Sequence, residues 1–305
     1  MLARLFASKQ PPDFKRSRRW DTLSLDLSGC HFEITLPPQD FDFPEDPINP
    51  KIDVFDEAFY NDNTEPDRNG YPPNGQGVSN SGLFRRNWFS YGPIWQTSHI
   101  GILQCSSVIC DTSRMTSKLN CFNPEHLERL IVHGLYYSDG PGFGLNEHTT
   151  PVNWQVRSLE GNDWVYLESW DRAAAWEAHP SPYDDAHFSV WLTTPLFADK
   201  YLLVSFSALG SLPADASNRA MFECIETIIA SMKLRLSPKA LRQKREAERA
   251  YPDAHYSPHR EPEPWRYYGS FRYGEAGESR VAFEGTCSPP PPLSFDFTQT
   301  KRTWP

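Results

Sequence analysis

Along RAMFECIETIIASMKLRLSP, residues 219–238, the hydrophobic period changes with no loop between. Met221, Phe222, Ile225, Ile228, Ile229 and Met232 recur at the spacing of one helix face. Met232, Leu234 and Leu236 instead alternate with Lys233 and Arg235, as strand residues do. The pattern predicts a helix from about Arg219 to Ser231, capped by Ser217 or Asn218. Ile225, Ile228 and Ile229 then lie against a sheet that MKLRL closes.

The strands of that sheet are readable elsewhere. TLSLDLSG and CHFEITLPP alternate well and are joined at Ser28 and Gly29. LFRRNWFSYGPIWQTSHIGILQCSSVIC reads as two strands turning at Gly92 and Pro93. VNWQVRSLEGNDWVYLESW reads as a hairpin around residues 160–163, followed by HFSVWLTTP and KYLLVSFSALG. NPEHLERLIVHG predicts a short helix with Asn123 as its cap, Pro124 at its first position, Leu127, Leu130 and Ile131 on its apolar face, and Gly134 as its stop. These elements make an α+β protein: an antiparallel sheet flanked by helices, with a long acidic insertion and an irregular C-terminal extension. The expected boundaries are a basic leader at 1–20, a main domain at 21–237 with the insertion at 39–82, and a charged helix with a Pro/aromatic-rich extension at 238–305.

A chain of 305 residues can bury a real core, and 28 prolines with a mean hydropathy of -0.59 call for long irregular excursions around it. No apolar run approaches the roughly 20 residues that span a bilayer, so a soluble protein with no membrane span is expected. The leader carries Arg4, Lys9, Lys15, Arg16, Arg18 and Arg19 against Asp13, a bias that transit peptides share, but the expected reading is a frayed basic leader before the first strand. Its apolar part, Leu2 to Phe6, is too short for a secretory signal. Cys30, Cys105, Cys110, Cys121, Cys224 and Cys287 are too few for a disulfide scaffold and fit reduced thiols in a cytoplasm.

Charge is unevenly placed. Asp40, Asp42, Glu45, Asp46, Asp53, Asp56, Glu57, Asp62, Glu65 and Asp67 face Lys51 alone within residues 39–67, a surplus equal to the formal net charge of -9 of the whole chain. Phe41, Phe43, Phe55, Phe59 and Tyr60 are threaded through these acids. One reading is a solvated loop whose aromatics pin it to the body. The other is a surface for a basic protein partner, since the field speeds encounter and the rings supply anchors. Such a surface repels phosphates, so nucleic acid is not an expected ligand.

FEITLPP, the late strand pair, YLLVSFSA and FECIETIIASMKL together resemble the pattern of the PsbP/Mog1/DcrB-like α/β sandwich. The resemblance covers mainly residues 30–37 and 164–236. It implies an antiparallel sheet flanked by helices, a late amphipathic helix before a short final strand, and a non-enzymatic binding or accessory role. In its general character the chain is also similar to the cytoplasmic immunity proteins of bacterial toxin systems, including type VI secretion. The chain departs from the sandwich group in its length, in the insertion between Phe41 and Gly82, and in the tail after Ser237.

There is no G-x-S-x-G elbow, no H-E-x-x-H and no P-loop, and GPGFG at residues 140–144 follows a helix, unlike a dinucleotide fingerprint. Cys105, Cys110, Cys121 and His126 form a C-x4-C-x10-C-x4-H series, yet Cys105 and Cys110 are five apart on a strand and point to opposite faces. His126 and His133 stand roughly 10 Å apart along their helix. His255 and His259, with Asp253 and Glu261, lie among prolines. His179, Asp184, Asp185 and His187 form the best acid-base cluster, tied to no nucleophile by spacing. The expected function is therefore protein binding without catalysis, metal or cofactor: a cytoplasmic immunity protein that occludes a basic toxin domain. Its contacts would be Asp40, Asp42, Glu45, Asp46, Asp53, Asp56, Glu57, Trp265, Tyr267 and Tyr268. The alternatives are a secretion chaperone or adaptor for a toxin and a hydrolase using the region between His179 and His187.

Overall fold

A computed structural model describes residues 19–39, 48–60, 78–91, 99–113, 119–137, 152–171, 186–210 and 214–257. Strands β1 (Asp21–Leu27) and β2 (Cys30–Leu36) form a hairpin on two residues with positive φ, Ser28 at 52° and Gly29 at 86°. That is the two-residue turn whose twist matches paired strands. Strict alternation sends Cys30, Phe32, Ile34 and Leu36 of β2 inward. The two-residue strand β3 (Lys51–Ile52) pairs parallel to β1. It belongs to the segment expected as an insertion.

The larger sheet contains β4 (Ser79–Tyr91), β5 (His99–Asp111), β6 (Val152–Leu159), β7 (Asn162–Asp171), β8 (Ala186–Phe197) and β9 (Lys200–Gly210). Its order is β4-β5-β9-β8-β7-β6, with every neighbour antiparallel. The β6–β7 turn repeats the positive-φ solution at Glu160 (50°) and Gly161 (79°).

Helix α1 (Pro124–Tyr137) starts where expected: Asn123 Oδ1 accepts from the N–H groups of Glu125 (2.9 Å) and His126 (3.3 Å). It runs through Gly134 rather than stopping there; an interior glycine costs a helix only about 1 kcal/mol. Leu127, Leu130 and Ile131 cover one face of the larger sheet, against Cys110, Val165, Leu167 and Tyr201. The other face carries the main core. Here α2 (Ala214–Ala230) packs on β5, β8 and β9 and also touches β2, so helix and small sheet share the layer above the larger sheet. Phe188 of β8 and Phe222 of α2 stack at 4.2 Å with planes 2° apart.

Only Ser231 and Met232 separate α2 from β10 (Lys233–Arg235). Ser231 Oγ accepts from Thr35 N (2.9 Å), fixing the helix end to β2. The final strand then pairs with β2, Leu234 opposite Phe32, so it closes the smaller sheet and not the one carrying the late strand pair. Helix α3 (Pro238–Ala250) follows with Ser237 as cap, its Oγ accepting from Ala240 N at 3.2 Å. Ala240 and Ala247 are buried in the main core, and Gln243 Oε1 accepts from Ala198 N in the β8–β9 turn. No helix among the described residues is long and apolar enough to cross a membrane.

Candidate functional site

The described part of the acidic segment, residues 48–60, is held on the body by its aromatic and aliphatic side chains. Val54 and Tyr60 are buried, and the Tyr60 hydroxyl donates to Val54 O at 2.7 Å, which closes the segment on itself. Burial, followed by the charges of Asp111 and Asp199, pushes that phenol far above its ordinary range. Phe55 meets Phe197 edge-on at 4.7 Å, and Lys239 Nζ of α3 sits 3.4 Å from the Phe55 ring centroid. Beneath lies Lys200, 3% exposed, its ammonium 3.0 Å from Asp111 Oδ1 and 3.2 Å from Asp199 Oδ2. The cations hold the aromatics of the acidic segment, and the ring of Phe55 stays 37% exposed.

The three described acids of the predicted contact set do different work. Asp53 Oδ1 accepts from Phe55 N (3.0 Å) and Ser28 Oγ (2.9 Å), and these donors hold its carboxyl below the ordinary aspartate value. Asp56 caps the 3-10 turn Glu57–Phe59 by accepting from Ala58 N at 2.9 Å. Both are turn formers whose carboxylates still face solvent, and Glu57 is exposed beside them. Asp40, Asp42, Glu45, Asp46, Trp265, Tyr267 and Tyr268 lie outside the described residues.

The residues weighed for catalysis or metal are dispersed where they are described. Cys105 lies in the main core and Cys110 in the cluster under α1, on the opposite sheet face, as a five-residue spacing on a strand requires. Cys121 joins Cys110, but His126 turns away: its Nδ1 accepts from Asn120 N at 3.1 Å and its ring meets Tyr251 at 5.2 Å. Burial raises the thiols of Cys30, Cys105, Cys110 and Cys121, that of Cys110 to about 12. His255 Nδ1 lies 3.0 Å from Asp253 O. His179, Asp184, Asp185, His259, Glu261 and Cys287 lie outside the described residues, and His187 is placed only by its position in β8, opposite Asp171. Among the described residues, no three His, Cys, Asp or Glu side chains are grouped to hold a metal ion.

Two arrangements had no sequence signal. Glu128 of α1, 3% exposed, accepts from Trp154 Nε1 (3.2 Å), Ser257 N (3.1 Å) and Ser257 Oγ (2.7 Å). This ties the strap after α3, residues 251–257, across the helix. Arg157 forms a two-pronged pair with Glu226 of α2 (2.9 and 3.2 Å) and stacks on the Tyr166 ring at 3.6 Å, while the Tyr166 hydroxyl donates to the fully buried Glu168 at 2.6 Å. Both depend on residues far apart in the chain. Beneath the strap, between α3, the start of α1 and the β7–β8 strands, is a cavity of about 330 Å³.

The chain matches no protein-family model, and no curated protein matches it.

Proposed function

We propose that this protein acts by binding a basic protein, as a cytoplasmic immunity protein that occludes a bacterial toxin of a type VI or similar secretion system. One observation carries the reading: the Phe55 ring, clamped by Lys239 and Phe197 and still 37% exposed, stands beside the solvent-facing Asp53, Asp56 and Glu57. A rigid aromatic flanked by carboxylates is the composition of an anchor for a cationic partner, because the ring is already ordered before binding and the acids steer approach. The similarity in sequence pattern to the PsbP/Mog1/DcrB-like group, whose members are mostly binding or accessory proteins, supports the same reading.

The test is protection. Cells expressing a cationic toxin domain encoded beside this gene survive when the wild-type chain is present. Asp56→Asn with Glu57→Lys keeps a cap for the 3-10 turn and inverts the charge beside Phe55, so it weakens both protection and complex formation. Full protection by that variant, with unchanged affinity, removes this surface from the mechanism.

A further inference from the structure

We infer that the cavity under the strap binds an organic monocation, a primary ammonium or guanidinium group, between the Tyr251 and Tyr256 rings and the Asp163 carboxylate. Two buried ionic groups elsewhere are already partnered within the chain: Glu128 by its three donors and Lys200 by its two carboxylates. The cavity differs. At its rim the carboxylates of Asp163 and Glu248 are solvent-exposed, no hydrogen bond among the described residues reaches them, the Lys244 ammonium or the Tyr256 hydroxyl, and all four residues line it. Asp163 uses only its backbone carbonyl, which accepts from Thr194 Oγ1 at 2.9 Å.

The sign of the ligand follows from what faces the space. The start of α1 borders it, and a free helix start would favour an anion. Here that start is closed: Pro124 has no N–H, Asn123 Oδ1 takes the N–H groups of Glu125 and His126, and Leu127 N bonds Asn123 O. Lys244 and Glu248 stand one helical turn apart on α3 and offset each other, leaving Asp163 in surplus. The Tyr256 phenol reports the same field. Burial first, then the charges of Asp163 and Glu128, push it well above its ordinary value. Two phenol rings beside a carboxylate are a cation's environment, and 330 Å³ lies at the small end of the roughly 300–1,000 Å³ of ligand pockets. The cation arrives either as a free small amine or as a Lys or Arg side chain of a bound protein; only the second source rests on the function proposed above.

Calorimetric titration of the full chain with n-butylammonium, propylguanidinium, acetate and a blocked Gly-Arg-Gly peptide, at constant ionic strength, tests this. The expected result is saturable binding of the cations and not of acetate, weakened about tenfold or more in Asp163→Asn, which removes the charge that faces the cation. Asp163→Asn keeps its thermal midpoint, because the carboxylate has no protein partner among the described residues; Glu248→Gln serves as the second variant. Tighter binding of the peptide than of propylguanidinium assigns the site to a protein side chain, and equal or weaker binding assigns it to free amines. Absence of cation binding at millimolar concentration, saturable acetate binding, or equal affinity in wild type and both variants overturns the inference.

Discussion

Glu128 shows how a single side chain can hold distant parts of a chain together. Its carboxylate is nearly buried and accepts from Trp154 on β6 and from the backbone and hydroxyl of Ser257. Glu128→Ala strands those donors and should lower stability by about 3 kcal/mol, whereas Ser257→Ala removes one bond and should cost about 1–2 kcal/mol; urea unfolding distinguishes them. The thiols make a second residue-scale prediction. Cys110 stays protonated up to about 12 in the folded protein, while its unfolded form titrates from about 9. Between those values the native state holds more protons than the unfolded one, so stability falls as pH rises. Tyr201 and Cys121, shifted upward by the same burial, add to the slope. The urea midpoint should be flat from pH 7 to below 9 and then decline, and Cys110→Ala should reduce the decline by up to about 1.4 kcal/mol per pH unit. The contacts of Glu128 were not legible beforehand, since an acid in a helix and a serine before a proline look like surface in sequence.

At the scale of elements, legibility followed local pattern and stopped where pairing is long-range. The face of α2, the cap of α1 and both two-residue hairpins were readable, because each rests on neighbours within a turn or a strand. The sheet that β10 joins was not. MKLRL announces a strand, but its pairing with β2 is set by Leu234 meeting Phe32 and by Ser231 reaching Thr35, contacts about two hundred residues apart. The packing of helix α3 was not legible for a related reason. Its buried contacts are the alanines Ala240 and Ala247, which give a weak apolar signal but allow close approach to β8. What α3 does for the acidic segment is open to a double-mutant cycle. Phe55→Ala and Lys239→Ala should show a coupling of about 0.5–1 kcal/mol, as expected for a cation above a ring at a partly exposed site. Additive losses would mean that Phe197 and Lys200 hold the ring without help from Lys239.

Across the whole molecule, the acidic surplus of residues 39–67 is set against a body whose late helix is rich in Lys and Arg. The concentration of charge in this segment is plain in the sequence, but not which of its acids shape the backbone. Asp53 and Asp56 turn out to hold turns as well as face solvent, because a short side chain next to a turn bonds the nearest N–H. The cavity under the strap escaped notice because its walls come from α1, α3 and the β7–β8 strands, which no local motif brings together. The central claim is that the acidic segment of residues 39–67 binds a basic protein. It is tested most directly by measuring the affinity of that cationic toxin domain for wild type and for a variant with Asp40, Asp42, Glu45 and Asp46 reversed to lysine. The account predicts a loss of about tenfold or more, shrinking as salt screens the wild-type attraction. A reversed variant that binds the partner as tightly as wild type at low salt would contradict it.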